Sequence, residues 1–125
     1  MTLVLDAGGL IALDRGDKRA WSRLKEALAA GVPPRSHGGV VGEVWRNGAR
    51  QARLAVVLRG MEVAPLDDRA GRRAGALLSA SGTADVIDAA VALLAADGDV
   101  IHTSDPDDLA HLVAVLGRDV EIIRV

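Results

Sequence analysis

Short, wholly apolar runs alternate along the chain with longer segments of helical periodicity, the pattern of strands buried on both faces with helices laid over them. Thr2-Leu-Val-Leu5 is one such run, ended by Asp6, and after Ala7-Gly8-Gly9 the segment Leu10–Leu13 resumes as a short helix. Asp17 to Ala30 predicts an amphipathic helix, with Ala20, Trp21, Leu24 and Leu28 on one stripe and Lys18, Arg19, Arg23 and Lys25 outside it. Gly31 and Pro33-Pro34 stop this helix. A weak strand of two or three residues within Pro34–Gly39 then leads into a helix from Val40, with Val40, Val41, Val44 and Trp45 as its apolar face. Asn47-Gly48 breaks that helix, and Ala49–Arg59 predicts another, with Ala52, Ala55, Val56 and Leu58 inward. Glu62–Pro65 is a short strand, and Asp67 or Asp68 caps a helix over Arg69–Ser79 that turns Ala70, Ala74, Leu77 and Leu78 inward.

The stretch Thr83–Asp108 is the most organised. Val86, Ile87, Ala90, Val91, Leu93 and Leu94 make a helix apolar almost all round, Ala95–Gly98 stops it, and Asp99–Thr103 is a β-rich strand. Leu109, Leu112, Val113 and Leu116 predict a last helix ending at Gly117, and Val120–Val125 closes as a strand. Strands and helices therefore alternate throughout. The expected architecture is a single α/β domain over residues 1–125, built on a mainly parallel sheet of about five short strands.

Composition narrows the function classes. Half the residues are hydrophobic, which fits a packed domain; the chain has no Phe or Tyr and only two Trp, so a base-stacking nucleic-acid platform is excluded. Cysteine is absent, which removes disulfides and thiolate metal sites. No run reaches the ~20 apolar residues of a membrane span, and the first residues lack the basic start of a secretory signal, so a cytoplasmic protein without a membrane partner is expected.

Charge placement changes the picture further. Asp88 lies within an apolar helix and Asp105 just past an apolar strand, yet no Lys or Arg falls between Thr83 and Asp108. An unpaired buried carboxylate costs several kcal/mol, so a shared cation is expected. In a parallel sheet Asp6 and Asp105 fall on one edge, where open α/β sheets bind ligands. Asp85 and Asp88 share a helix face at i, i+3, and Glu43 lies near the start of the helix after the second strand. Converging carboxylates repel each other unless a cation joins them, and oxygen-only ligands suit Mg²⁺ or Mn²⁺ rather than zinc.

Four segments carry a resemblance: VLDAGGLIAL at the start, GEVWR mid-chain, GTADVIDAAVALLA late and VIHTSDPDDL near the end. In this order and spacing the chain resembles PIN-domain ribonucleases, specifically the VapC-type toxins of bacterial toxin–antitoxin pairs. The resemblance implies a PIN-like α/β/α sandwich and an endoribonuclease that hydrolyses RNA with Mg²⁺ or Mn²⁺. It also implies a small VapB-type antitoxin as partner, and a homodimer. The family's metal-site roles fall on Asp6, Glu43, Asp88 and Asp105, with Asp108 or Asp107 as a variable extra acid and Asp85 as an accompaniment. Gly8 departs from the pattern, since a polar residue often stands two positions after the first Asp. Arg46 and Arg50 are the candidates for a cationic rim along the RNA backbone.

Three rival readings were weighed. His37, His102 and His111 could support metal-free transphosphorylation; a phosphoacceptor receiver domain would need a late Lys, but the only lysines are Lys18 and Lys25. The third is a catalytically silent PIN-fold module that binds RNA.

Overall fold

The computed structural model describes residues 1–125. Five strands, β1 (Leu3–Leu5), β2 (Arg35–His37), β3 (Glu62–Ala64), β4 (Val100–Thr103) and β5 (Glu121–Arg124), form one sheet in the order β3-β2-β1-β4-β5. All four pairings are parallel, with Val4 opposite Arg35 on one side and opposite Ile101 on the other. β1 and β4 are buried along their whole length, as their unbroken apolar runs require.

Seven helices connect the strands: α1 (Ala7–Asp14), α2 (Lys18–Ala29), α3 (Gly38–Val44), α4 (Ala52–Arg59), α5 (Asp68–Ser81), α6 (Val86–Leu94) and α7 (Pro106–Val115). α1 packs against α2, α3 and α4, while α5, α6 and α7 pack on one another. The molecule is thus the α/β/α sandwich expected, and its sheet is parallel throughout. The strand order reverses between β1 and β4, so Asp6 and Asp105 flank the switch point at the carboxyl edge of the sheet, the usual ligand crevice of such folds.

Side-chain caps move several helix starts away from the apolar periodicity. α1 begins at Ala7 because the Asp6 carboxylate accepts the Gly9 N–H at 3.0 Å, and α3 begins at Gly38 because His37 Nδ1 accepts the Gly39 N–H at 3.0 Å. Asp17, Asp67 and Asp85 cap α2, α5 and α6 in the same way, each accepting from the third residue onward. α5 runs to Ser81, where Gly82 takes the left-handed conformation that ends it.

Several inward assignments are corrected: Val56 (57% exposed), Leu28 (48%) and Trp45 (38%) face outward, and Ala52 is exposed as well. In α4 the buried residues are Leu54 and Val57, one position out of phase with the expected stripe. In α2 they are Ala20, Leu24 and Ala27, whose small members bring the helix close to its neighbours and turn Leu28 away. α3 ends at Val44, so Trp45 has already left the helix and its apolar face.

Candidate metal and active site

Asp6 stands at the end of β1, and its carboxylate is held on the first turn of α1. The adjacent strand closes the site from the other side. The Asp6 N–H donates to the His102 carbonyl at 3.2 Å, and the Asp105 N–H donates to Thr103 Oγ1 at 2.8 Å. Thr103 is itself buried, and its hydroxyl favours the charged form of Asp6, partly offsetting the effect of burial on that carboxyl. Sequence reasoning passed over Thr103; its signal was a hydroxyl placed two residues before Asp105 at the end of a buried strand.

Gly8 and Gly9 explain how α1 starts so close to β4. A Cβ on Gly8 would lie 2.6 Å from the Ser104 N and Oγ, and one on Gly9 would lie 3.0 Å from the His102 carbonyl oxygen. The departure at Gly8 is therefore steric: Ser104 occupies the space a side chain there would need.

His37 is the second residue whose role was misplaced. Its Nδ1 accepts the Gly39 N–H, which leaves Nε2 protonated to donate to the Ile87 carbonyl at 3.1 Å. That bond ties the start of α3, which carries Glu43, to the first turn of α6, which carries Asp88. Gly39 permits the approach, because a Cβ there would lie 2.5 Å from Ile87 Cδ1. With both ring nitrogens engaged, His37 positions the site and does not supply a base. His102 is buried on β4, where desolvation, with Arg23 adding, lowers its pKa to about 4. His111 bonds the Ser81 carbonyl. The three histidines do not share a site, and the metal-free transphosphorylation reading fails.

The carboxylates do come together electrostatically. Asp88 is raised from 3.8 to about 7, first by burial and then by the charges of Asp85, Asp6, Asp105 and Asp108. Asp6 is raised by burial, partly offset by the Thr103 hydroxyl and the Gly9 N–H, with the Asp105 charge adding. Glu43 is exposed, but packing around it still raises its pKa, and Asp85, Asp6 and Asp105 push the same way. Both salt bridges of the molecule, Arg35–Glu62 and Arg72–Asp68, lie away from this group. No cation is paired with any of the site acids.

The donor set fits a hard divalent ion: every ligand is a carboxylate oxygen, and the charge is uncompensated. No three of these side chains stand close enough to hold one ion together. That spacing is compatible with Mg²⁺, which keeps several waters and is usually bound through one or two carboxylates. Of the two extra acids, Asp108 is among the charges that raise Asp88. Arg46, exposed just past α3, folds back on the end of that helix: its Nη1 donates to the Gly42 and Trp45 carbonyls. Arg50 lies exposed in the single 3₁₀ turn Gly48–Arg50.

No family model and no curated protein matches the chain. Among solved structures it is similar to a chain in the crystal structure of VapBC2 from Rickettsia felis bound to a DNA fragment from their promoter. The TM-score is 0.69 at 14% identity, over 98% of this chain and 99% of that one. The fold is PIN-like. The VapC-type resemblance read from four short motifs thus holds at the level of the fold across the whole PIN-like domain. In this PIN-like frame the acids occupy the carboxyl edge of the sheet, and no helix is long and apolar enough to cross a membrane.

Proposed function

We propose that this PIN-like chain is an endoribonuclease dependent on Mg²⁺ or Mn²⁺ and acts as the cytoplasmic toxin of a toxin–antitoxin pair. One observation carries the reading: Asp88, half-buried on α6, faces four other carboxylates and no cation, which raises its pKa to about 7. A folded protein keeps such a charge deficit where a cation completes it. Asp6, Asp88, Glu43 and Asp105 would hold the ion, with Asp108 at the margin. When bound, a divalent ion of this kind neutralises charge on a phosphodiester and makes a coordinated water more acidic.

The chain's own residues do the rest. Asp6 is held in place by its own cap of α1, through the Gly9 N–H. His37 fixes α6 against α3, and so the disposition of Asp88 toward Glu43. One of these carboxylates could also take the proton of the attacking water. In-line attack would leave 5′-phosphate and 3′-hydroxyl ends. A small VapB-type antitoxin belongs to the same reading, supported by likeness in fold to a chain of the VapBC2 complex, and a homodimer is proposed with it. An Arg or Lys from such a partner, placed among the carboxylates, would substitute for the ion's charge.

A second reading is favoured by one observation: no three carboxylates stand within reach of one ion, as in a silent PIN-fold module that binds RNA without cutting it. Purified protein incubated with RNA separates the two. The nuclease reading expects cleavage in Mg²⁺ or Mn²⁺, arrest by EDTA, recovery on adding metal back and 5′-phosphate ends; retention of intact RNA under every metal condition would establish the silent module. Expression of the wild type should slow growth and expression of Asp6→Ala should not.

A further inference from the structure

Two surface grooves share one residue. The first, of 450 Å³, begins beside the acidic edge at Gly8 and Ser104, runs along α1 past Ile11 and Arg15, and ends at Gly16. The second, of 410 Å³, starts at Gly16 and is lined by Lys18, Trp21, Ser22, Lys25 and Arg53. Gly8 and Ser104 are chain neighbours of the site, two residues after Asp6 and one before Asp105, so the first groove begins next to the candidate site, although none of the site acids lines it. From there α1 spans about 12 Å, eight residues at 1.5 Å each, to the second groove. No carboxylate lines that basin, although acids outnumber bases in the chain, 17 to 15. Its only two lysines both stand there.

The basin is assembled by identifiable contacts. Lys18, Trp21, Ser22 and Lys25 follow the i, i+3, i+4, i+7 spacing of one face of α2. Trp21 is fixed by its indole N–H, which donates to the Leu13 carbonyl at 2.9 Å. Arg53 reaches over from α4, its Nη1 donating to the Asp14 carbonyl at 3.4 Å. Its Cζ lies 3.3 Å from where a Cβ on Gly16 would be, and Gly16 holds the left-handed φ of +77°. Glycine at position 16 thus makes the turn and leaves room for the guanidinium at the junction of the grooves. Arg53 and both lysines take no part in either salt bridge of the molecule. Lys18 and Arg19 also stand in the first turn of α2, where the helix dipole disfavours cations and the Asp17 cap is the one acid at that end.

We infer that the α1 groove and the Lys18–Lys25–Arg53 basin form a track for single-stranded RNA flanking the scissile phosphate. This rests on the nuclease reading above. An RNA strand held at the carboxylate edge must leave it, and the α1 groove leads to phosphate-binding charge. Asp17, on the groove wall, is occupied in capping α2 and points its oxygen at the Ala20 N–H, 2.9 Å away. An acidic polypeptide is the rival occupant of the basin, and competition against RNA separates the two.

The test is fluorescence anisotropy of a labelled 20-nucleotide single-stranded RNA titrated with the full chain in EDTA over a series of NaCl concentrations. The variant K18Q/K25Q/R53Q is compared with R69Q/R72Q/R73Q on α5, which removes the same charge elsewhere. The basin variant is expected to bind RNA at least tenfold more weakly. Its slope of log K against log salt should be shallower by about two, three phosphates at ~0.7 each. Its Mn²⁺ affinity by calorimetry and its melting temperature should match the wild type, showing an intact fold. RNA affinity within twofold of wild type, or an equal loss in the α5 variant, overturns the track. Displacement of RNA by poly-glutamate at equal charge concentration overturns it in favour of an acidic polypeptide. A wild-type chain that neither binds nor cuts RNA overturns the nuclease reading itself, and that outcome is read on the unmutated protein.

Discussion

Asp6 and Asp99 are the two carboxylates the fold buries, and they sit at opposite ends of the same pair of strands. Asp99 precedes β4. Its Oδ1 accepts the Thr2 N–H at 2.7 Å and its Oδ2 accepts the Ala96 N–H at 2.8 Å, so both oxygens are spent on backbone donors that would otherwise be orphaned. Asp6 follows β1, bonds the Gly9 N–H through Oδ1 and meets other carboxylates on its open side. Burial alone therefore does not mark a functional acid. What separates the two is whether the surroundings finish neutralising the charge: at Asp99 they do, and at Asp6 they leave it for something else.

The sharpest way to break this contrast is to remove one charge from each end without changing shape. Asp6→Asn or Asp88→Asn should lower metal-dependent RNA cleavage by on the order of 10²- to 10⁴-fold, the range for losing a group that acts on the proton or the ion. Asp99→Asn should leave cleavage per folded molecule within a few-fold of wild type. Equal losses at both ends, measured in one gel-based cleavage assay, would erase the distinction.

The next effect runs the other way. Asp99→Ala strands two backbone donors and should destabilise the fold by about 2–4 kcal/mol, at ~1–3 kcal/mol for each buried partner lost. Denaturant melts would show this as a lowered midpoint. Asp88→Asn, in metal-free buffer, should instead hold or raise the midpoint because it removes repulsion. Mg²⁺ or Mn²⁺ sharpens the comparison further: a hundredfold excess over Kd should stabilise wild type and Asp99→Asn by about 2.7 kcal/mol and leave Asp88→Asn unmoved. A wild-type melt indifferent to both ions would show that the acid cluster takes no cation.

The residues differ in how much of this they disclosed beforehand. The strands, their parallel order and the placement of Asp6 and Asp105 just past the carboxyl ends of β1 and β4 were legible, because apolar runs and strand–helix alternation place any residue that follows a strand. Helix phase was less legible where alanines dilute the pattern. In α4 the periodicity of Ala52, Ala55, Val56 and Leu58 competes with that of Leu54 and Val57, and only contact with α1 decides it. Residues that act through hydrogen bonds over long sequence separation were opaque. His37 reaches a carbonyl 50 positions away. The Arg53 placement over Gly16 belongs to the same class, since nothing in either segment names the other.

The smallest effect, and the finest cut between the two ends, is in pH. Asp88 titrates at about 7 in the folded chain against 3.8 ordinarily, so between those values the folded protein binds a proton that the unfolded one does not. The stability this contributes is complete below about pH 4 and is lost as pH rises through 7. At 1.36 kcal/mol per pH unit the undamped effect is ~4 kcal/mol, and water reaching this half-buried carboxyl reduces it to about 1–2 kcal/mol. Asp6 and Glu43, also raised, add in the same direction. His102, lowered to about 4, and His37, also lowered, work against it, since each favours the folded state above its ordinary pKa of 6.5. Those histidine contributions are common to wild type and Asp88→Asn and cancel in their difference. In EDTA, wild type should therefore lose about 1–2 kcal/mol relative to Asp88→Asn between pH 5 and 7.5, read from urea midpoints. With saturating Mg²⁺ the sign should reverse, because ion binding favours the deprotonated carboxylates that repel each other without it. Parallel pH profiles for the two proteins, with and without metal, would mean that the charge on Asp88 is already neutralised within the fold, as the charge on Asp99 is.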